Sequence, residues 1–130
     1  MTPSNPLTVR TPADLLACVP LLLGFLPQES AVLISLPPGA GPHARADLHE
    51  GTDLAELSAA LLAPVRRHQV GRIALVTYGS LPDARRAAAH LQADFVRAGV
   101  EVMAAVAADG NHWVSLTPEL HETAPREYDA

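Results

Sequence analysis

Apolar residues along this chain recur with the periods of helices and strands, and the breaks between them predict an ordered series of elements. Thr11-Pro12-Ala13-Asp14 marks the first helix. Threonine serves as its N-cap, proline takes the first helical position, and the acid sits near the positive end of the dipole. Leu15, Leu16 and Val19 form its apolar stripe. Pro20 cannot donate a backbone bond, so the helix is expected to kink there or restart as a short turn ending at Gly24. Ala31 to Leu36 is an unbroken apolar run with β-branched residues, the pattern of a strand buried on both faces. After the turn Pro37-Pro38-Gly39-Ala40-Gly41-Pro42 the period becomes two. His43, Arg45 and Asp47 point one way and Ala44, Ala46 and Leu48 the other, which predicts a half-solvated strand antiparallel to the first.

The second half alternates strands with helices. Asp53 and Glu56 form a capping box for a helix that buries Leu54, Leu57, Leu61 and Val65 and is expected to close at Gly71. Arg72 to Tyr78 reads as a second buried strand, followed by an alanine-rich helix from about Asp83 to Ala98 with Ala84, Ala88, Leu91 and Phe95 inward. Val100 to Ala107 is a third core strand. Asp109-Gly110 is a hairpin signal leading to a return strand, His112 to Leu116, and a turn centred on that pair sets Val106 opposite Trp113. Strand–helix–strand crossovers favour parallel strands. The expected fold is therefore a single α/β domain: a mixed, mostly parallel sheet of about five strands, two terminal hairpins and three packed helices. Residues 1–10 are expected to form an extended arm, 11–116 the domain and 117–130 a polar tail.

Composition sharpens this picture in a few places. The chain has 130 residues, 48% of them hydrophobic, a size and apolar content that suit one folded core. It contains no lysine, nine arginines and a formal net charge of −5. That balance disfavours a nucleic-acid partner, which needs clustered cations to neutralise phosphates. The longest apolar run, Leu15 to Leu26, is interrupted by Pro20 and Gly24 and is too short to span a bilayer. Leu15-Leu16-Ala17-Cys18 has the look of a lipidation box, but its apolar stretch follows the cysteine instead of preceding it. One cysteine permits no internal disulfide, and a reducing cytoplasm is the expected location. The six histidines lack metal-ligand spacing, so no metal and no cofactor is expected.

The segment Thr11-Pro12-Ala13-Asp14-Leu15-Leu16, continuing through Val19-Pro20, Leu22-Leu23-Gly24-Phe25, Pro27 and Ser30, resembles the opening of a bacterial family common in actinobacteria, domain of unknown function 4192. Arg45-Ala46-Asp47-Leu48 is similar to that family's Arg-x-Asp-Leu signature. Ala74 to Gly79 is similar to its apolar strand ending in glycine, and Gly99-Val100 with Asp109-Gly110, Trp113 and Ser115 to its last hairpin. The resemblance covers roughly residues 7–116. It implies a fold and candidate positions, and no activity. Longer members lead from the final strand into a cysteine-containing segment, whereas Leu116-Thr117-Pro118 carries no cysteine. An activity of those members is therefore expected to be missing here or divided between chains.

Candidate chemistry is sparse. Tyr78-Gly79-Ser80 follows a strand and precedes a helix, where open α/β sheets place ligand crevices and a helix N-terminus offers N–H groups to an anion. The competing reading is an ordinary connecting turn, since no glycine-rich phosphate fingerprint is present. Arg45 and Asp47 share one strand face and either orient a polar ligand, with Glu29 and Ser30 as neighbours, or form a surface ion pair. Trp113 either stacks on a ligand or covers a sheet face. The Pro20 to Pro27 segment either lines a groove or caps the core with Leu22, Leu23 and Phe25. No catalytic motif, such as a Gly-x-Ser-x-Gly elbow, is found, which leaves enzymatic activity open. Two functional expectations follow. The first is a non-enzymatic module that binds a protein partner or a second copy of itself through its strand edges. The second is a site for a small, nucleotide-like anion, with or without hydrolase or transferase chemistry.

Overall fold

A computed structural model describes residues 11–25, 27–36, 41–49, 51–116 and 126–127. Helix α1 (Pro12–Leu23) begins where the threonine cap predicts, with Thr11 Oγ1 accepting the Asp14 N–H at 3.1 Å. It runs unbroken through Pro20 and ends at Gly24, whose φ of 82° is the left-handed C-cap conformation that favours glycine. Pro20 therefore neither divides the helix nor ends it. Its carbonyl accepts the Gly24 N–H at 2.8 Å. Cys18 is fully buried on this helix, away from any surface where it would be modified.

Strands β1 (Ser30–Ser35) and β2 (His43–Asp47) form the predicted antiparallel hairpin. Helix α2 (Leu54–Arg67) is capped by Asp53 Oδ1, which accepts the N–H groups of Ala55 and Glu56 at 2.9 and 3.2 Å. It closes two residues before the expected Gly71: Gln69 takes the left-handed conformation, φ 53°, and Val70 N–H returns to the Val65 carbonyl at 2.9 Å. Strand β3 (Arg72–Tyr78) leads into helix α3 (Leu81–Arg97), which starts two residues earlier than Asp83 because Ser80 takes the N-cap position. Strands β4 (Glu101–Ala108) and β5 (His112–Ser115) follow. A two-residue strand, β6 (Arg126–Glu127), pairs with β5. The expected arm, 1–10, lies outside the described residues, as does the expected tail apart from 126–127.

The sheet order is β2-β1-β3-β4-β5-β6. The α/β class holds, but the sheet is not mostly parallel: among the described residues β3–β4 is the one parallel pair. The reason is the seat of β1. It pairs antiparallel with both β2 and β3, so β2 and β3 run the same way but never touch. The crossover through α2 thus joins parallel strands with β1 inserted between them. The second hairpin also departs from expectation. Asp109 N–H donates to the His112 carbonyl at 3.0 Å, so the turn centres on Gly110-Asn111. Gly110 has φ 97°, and Asn111 is not among the residues with positive φ. That is the pattern of a turn needing glycine at its first central position only. Trp113 consequently lies opposite Ala108, and Val106 opposite Ser115.

Alternation along the buried strands divides the core in two. Ala31, Leu33, Ile73, Leu75 and Ala105 pack under Leu57, Leu61 and Val65 of α2 and Leu91 and Phe95 of α3. On the other face Val32, Ile34, Ala74, Val76, Tyr78, Val106 and Ala108 pack under Leu15, Leu16 and Val19 of α1. Two helices thus cover one face and a single helix covers the other. Strands β1–β5 at about 4.8 Å spacing present a face roughly 20 Å wide, while a helix with its side chains is about 10 Å across. One helix leaves part of its face uncovered.

Two expected outcomes test this packing by urea denaturation. Leu91→Ala, at a fully buried position, lowers the unfolding free energy by about 2–5 kcal/mol. Gln69→Gly raises it by up to about 1 kcal/mol, because relief of the left-handed strain exceeds the entropy glycine adds to the unfolded chain.

Candidate functional site

Register aligns one row of residues across the sheet at the carboxyl ends of β3 and β4. Asp47 pairs with Ser30, Ser30 with Tyr78, Tyr78 with Ala108, and Ala108 with Trp113. Partners in register share a face, and Tyr78, Ala108 and Trp113 belong to the core beneath α1. Beside this row the single helix leaves a cleft of about 800 Å³. Its walls come from five places: Ala13, Asp14, Leu16 and Ala17 of α1; the loop Pro27-Gln28-Glu29 entering β1; Tyr78-Gly79-Ser80 between β3 and α3; Asp109-Gly110 after β4; and Trp113 of β5.

Backbone bonds hold these pieces in place. Gly79 N–H donates to the Ala108 carbonyl at 3.1 Å, which locks the β3–α3 loop to the end of β4. Buried Thr77 donates its hydroxyl to the Ala84 carbonyl at 2.6 Å, which ties the first turn of α3 to the sheet. Ser80, the N-cap, is exposed and makes no side-chain capping bond, so its hydroxyl is left at the cleft wall. Glu29 is held at φ 44°, and its carbonyl accepts the Leu48 N–H at 2.8 Å. A non-glycine residue there is strained, and such strain persists only where surrounding contacts over-determine it. Asp109 Oδ1 accepts the N–H groups of Asn111 and His112 at 2.8 and 2.6 Å. Burial pushes its pKa up, but those two bonds, with the His112 ring at 3.8 Å, outweigh burial and hold the carboxyl below the ordinary range.

Of the residues singled out by sequence, Glu29, Tyr78, Gly79, Ser80 and Trp113 meet in the walls of this one cleft. Ser30 stands just behind them, fully buried, with its hydroxyl donated to the Gln28 carbonyl at 2.7 Å. Arg45 and Asp47 do not line it. They form an ion pair at 3.0 Å on the β2 edge, and the Arg45 guanidinium lies 5.6 Å from the centre of the Phe25 ring. Phe25 is 49% exposed, so the Pro20 to Pro27 segment buries only part of its apolar surface. Sequence reasoning missed Asp14 and Asp109 as wall residues, because each already had a structural role as a helix-start acid or turn former. The usable signal was the parallel β3–β4 pair: the loop after β4 must then border the same crevice as the loop after β3.

Among the described residues the walls carry three carboxylates, Asp14, Glu29 and Asp109, and no arginine or histidine, while register sets Arg126 of β6 beside Trp113. Among the described residues no three metal-ligating side chains come together, and no helix is long and apolar enough to cross a membrane. Residues 12–127 match the model of a family described as Domain of unknown function (DUF4192). No curated protein and no solved structure matches the chain.

The Asp109 geometry sets a pH dependence. Its folded pKa is depressed, so its charge stabilises the fold above the unfolded carboxylate pKa of about 3.9 and loses that effect as pH falls through the folded value. Asp109→Asn keeps an oxygen acceptor but not the charge. The expected outcome is a stability deficit for this variant near pH 7 that closes below about pH 4, measured by urea denaturation across pH.

Proposed function

The chain belongs to the DUF4192 family, and we propose that this domain binds a small organic molecule in the cleft at the carboxyl ends of β3 and β4. One observation carries the reading: chain segments from five separate places converge on a concavity of about 800 Å³ walled by an indole and several polar groups. Ligand sites of small molecules have this size and mixture, and open α/β sheets place them at this end of their strands. Glu29 adds support, since a strained residue at the rim is a common mark of a functional loop.

Association with a protein partner or a second copy has less behind it. The β2 edge displays His43, Arg45 and Asp47 on the face that α1 leaves open, and charged side chains along an edge discourage strand pairing. The same reading has the domain act in the cytoplasm, where buried Cys18 stays a thiol whose pKa burial raises.

Trp113 is the one tryptophan of the chain, so intrinsic fluorescence reports occupancy directly. A metabolite screen is expected to yield a compound that alters Trp113 emission and raises the melting temperature with concentration. Gly79→Phe, at a position where an added Cβ meets nothing within 4 Å, is expected to fill the cleft and abolish both responses while the domain stays folded. Asp47→Ala, outside the walls, leaves them intact. A screen with no responding compound, or a response that survives Gly79→Phe, counts against the proposal. A further expected outcome concerns Glu29→Gly: release of the positive φ raises stability by up to about 1 kcal/mol, yet ligand affinity falls as the loop loses its fixed geometry and its carboxylate. Urea denaturation and fluorescence titration on the same variant check the two halves.

A further inference from the structure

The charge around the cleft narrows what it takes. Two helix N-termini border it, those of α1 and α3, and each is equivalent to about half a positive charge. Against them stand three carboxylates among the described wall residues. Even with Arg126 of β6, which register sets beside Trp113, the described groups sum to a negative charge. The α1 dipole is also already matched by Asp14 in its own first turn. Asp109 is fixed as an anion by two backbone N–H groups. Glu29 is exposed at the rim, and its backbone is pinned by the bond to Leu48. An anionic ligand, the chemistry the α3 N-terminus alone suggests, would enter a field of the wrong sign.

These carboxylates are also spread around the walls. They come from α1, the loop before β1 and the loop after β4, and they do not gather into a metal-ligating group. That spacing suits an extended charge-bearing molecule better than a compact ion. Half-buried Trp113 and the rim of buried Leu16 supply an apolar surface in the same cavity, and an indole face attracts cations through its quadrupole.

Building on the cleft reading above, we infer that the ligand is an organic cation, an amine or guanidinium on an apolar skeleton, which sets its skeleton against Trp113 and its charge toward Glu29 and Asp109. The experiment uses the whole chain and two matched probe series that differ only in charge. One is 2-phenylethylamine, 2-phenylethanol and phenylacetate; the other is pentane-1,5-diamine, pentane-1,5-diol and glutarate. Affinities are read by Trp113 fluorescence and by calorimetry. The amine of at least one series is expected to bind about tenfold more tightly than its alcohol or carboxylate, with a preference that shrinks as salt screens the carboxylates. The double variant Glu29→Gln, Asp109→Asn keeps both side-chain shapes and is expected to cut that preference to about threefold or less. Equal or tighter binding of the alcohols or carboxylates, or an amine preference untouched by the double variant, overturns the cation inference and leaves the cleft reading standing. Failure of all six probes to bind at millimolar concentration counts against both.

Discussion

The molecule is organised by an inequality of cover: two helices protect one face of the sheet and a single helix protects the other. Strands β1 and β3, and β4 from Ala105 onward, are buried on both faces and must have apolar cover on each. On the α2–α3 side this is achieved with large side chains such as Leu61, Leu91 and Phe95. On the other side Leu15, Leu16 and Val19 of α1 reach only part of a face wider than one helix. What α1 leaves uncovered takes two forms. Toward β2 it is a charged, solvated edge bearing Arg45 and Asp47. Toward β5 it is the cleft, where Trp113 lies half-buried.

The antiparallel insertion of β1 places that cleft. Were β2 and β3 neighbours, the loops after both strands would open side by side, and the Arg45–Asp47 pair would stand next to Tyr78-Gly79-Ser80. With β1 between them, the loop entering β1 takes that place and brings Pro27-Gln28-Glu29 to the site. The parallel β3–β4 pair supplies the opposite wall, because two strands running the same way deliver both following loops to one end. Glu29 and Asp109 therefore reach one cavity from opposite sides of β3.

Local stability and the candidate site are in tension at Glu29 and in accord at Asp109. Glu29 holds an unfavourable backbone conformation while its carbonyl anchors Leu48, a local cost carried by the surrounding packing. The Asp109 carboxylate both builds the β4–β5 turn and places negative charge at the cleft. Gln69, the other non-glycine residue with positive φ among those described, lies at the α2 C-terminus and lines no part of the cleft. The contrast separates strain that ends a helix from strain that shapes a site.

Much of the local structure was legible in the order of residues. Thr11 and Asp53 announce their helices, Gly24 ends one, and the apolar runs through Leu33, Leu75 and Val106 mark the buried strands, because caps, turns and periodicity are short-range effects. The Tyr78-Gly79-Ser80 loop, Glu29 and Trp113 were also readable as candidates. Two things were decided only in the tertiary structure, the seat of β1 and the grouping around the cavity. A third, the hairpin centre, was decided by a local side-chain bond that the Asp109-Gly110 turn signal obscured. The seat of β1 between β2 and β3 turned an expected parallel sheet into one with a single parallel contact among the described residues, since the choice of strand neighbour depends on long-range packing. The Asp109 side chain, by taking two backbone N–H groups, shifted the hairpin centre by one residue and set Trp113 opposite Ala108. And the grouping of Asp14, Glu29 and Asp109 around one cavity joins residues as far apart in the chain as the first helix and the last hairpin, which no local pattern encodes.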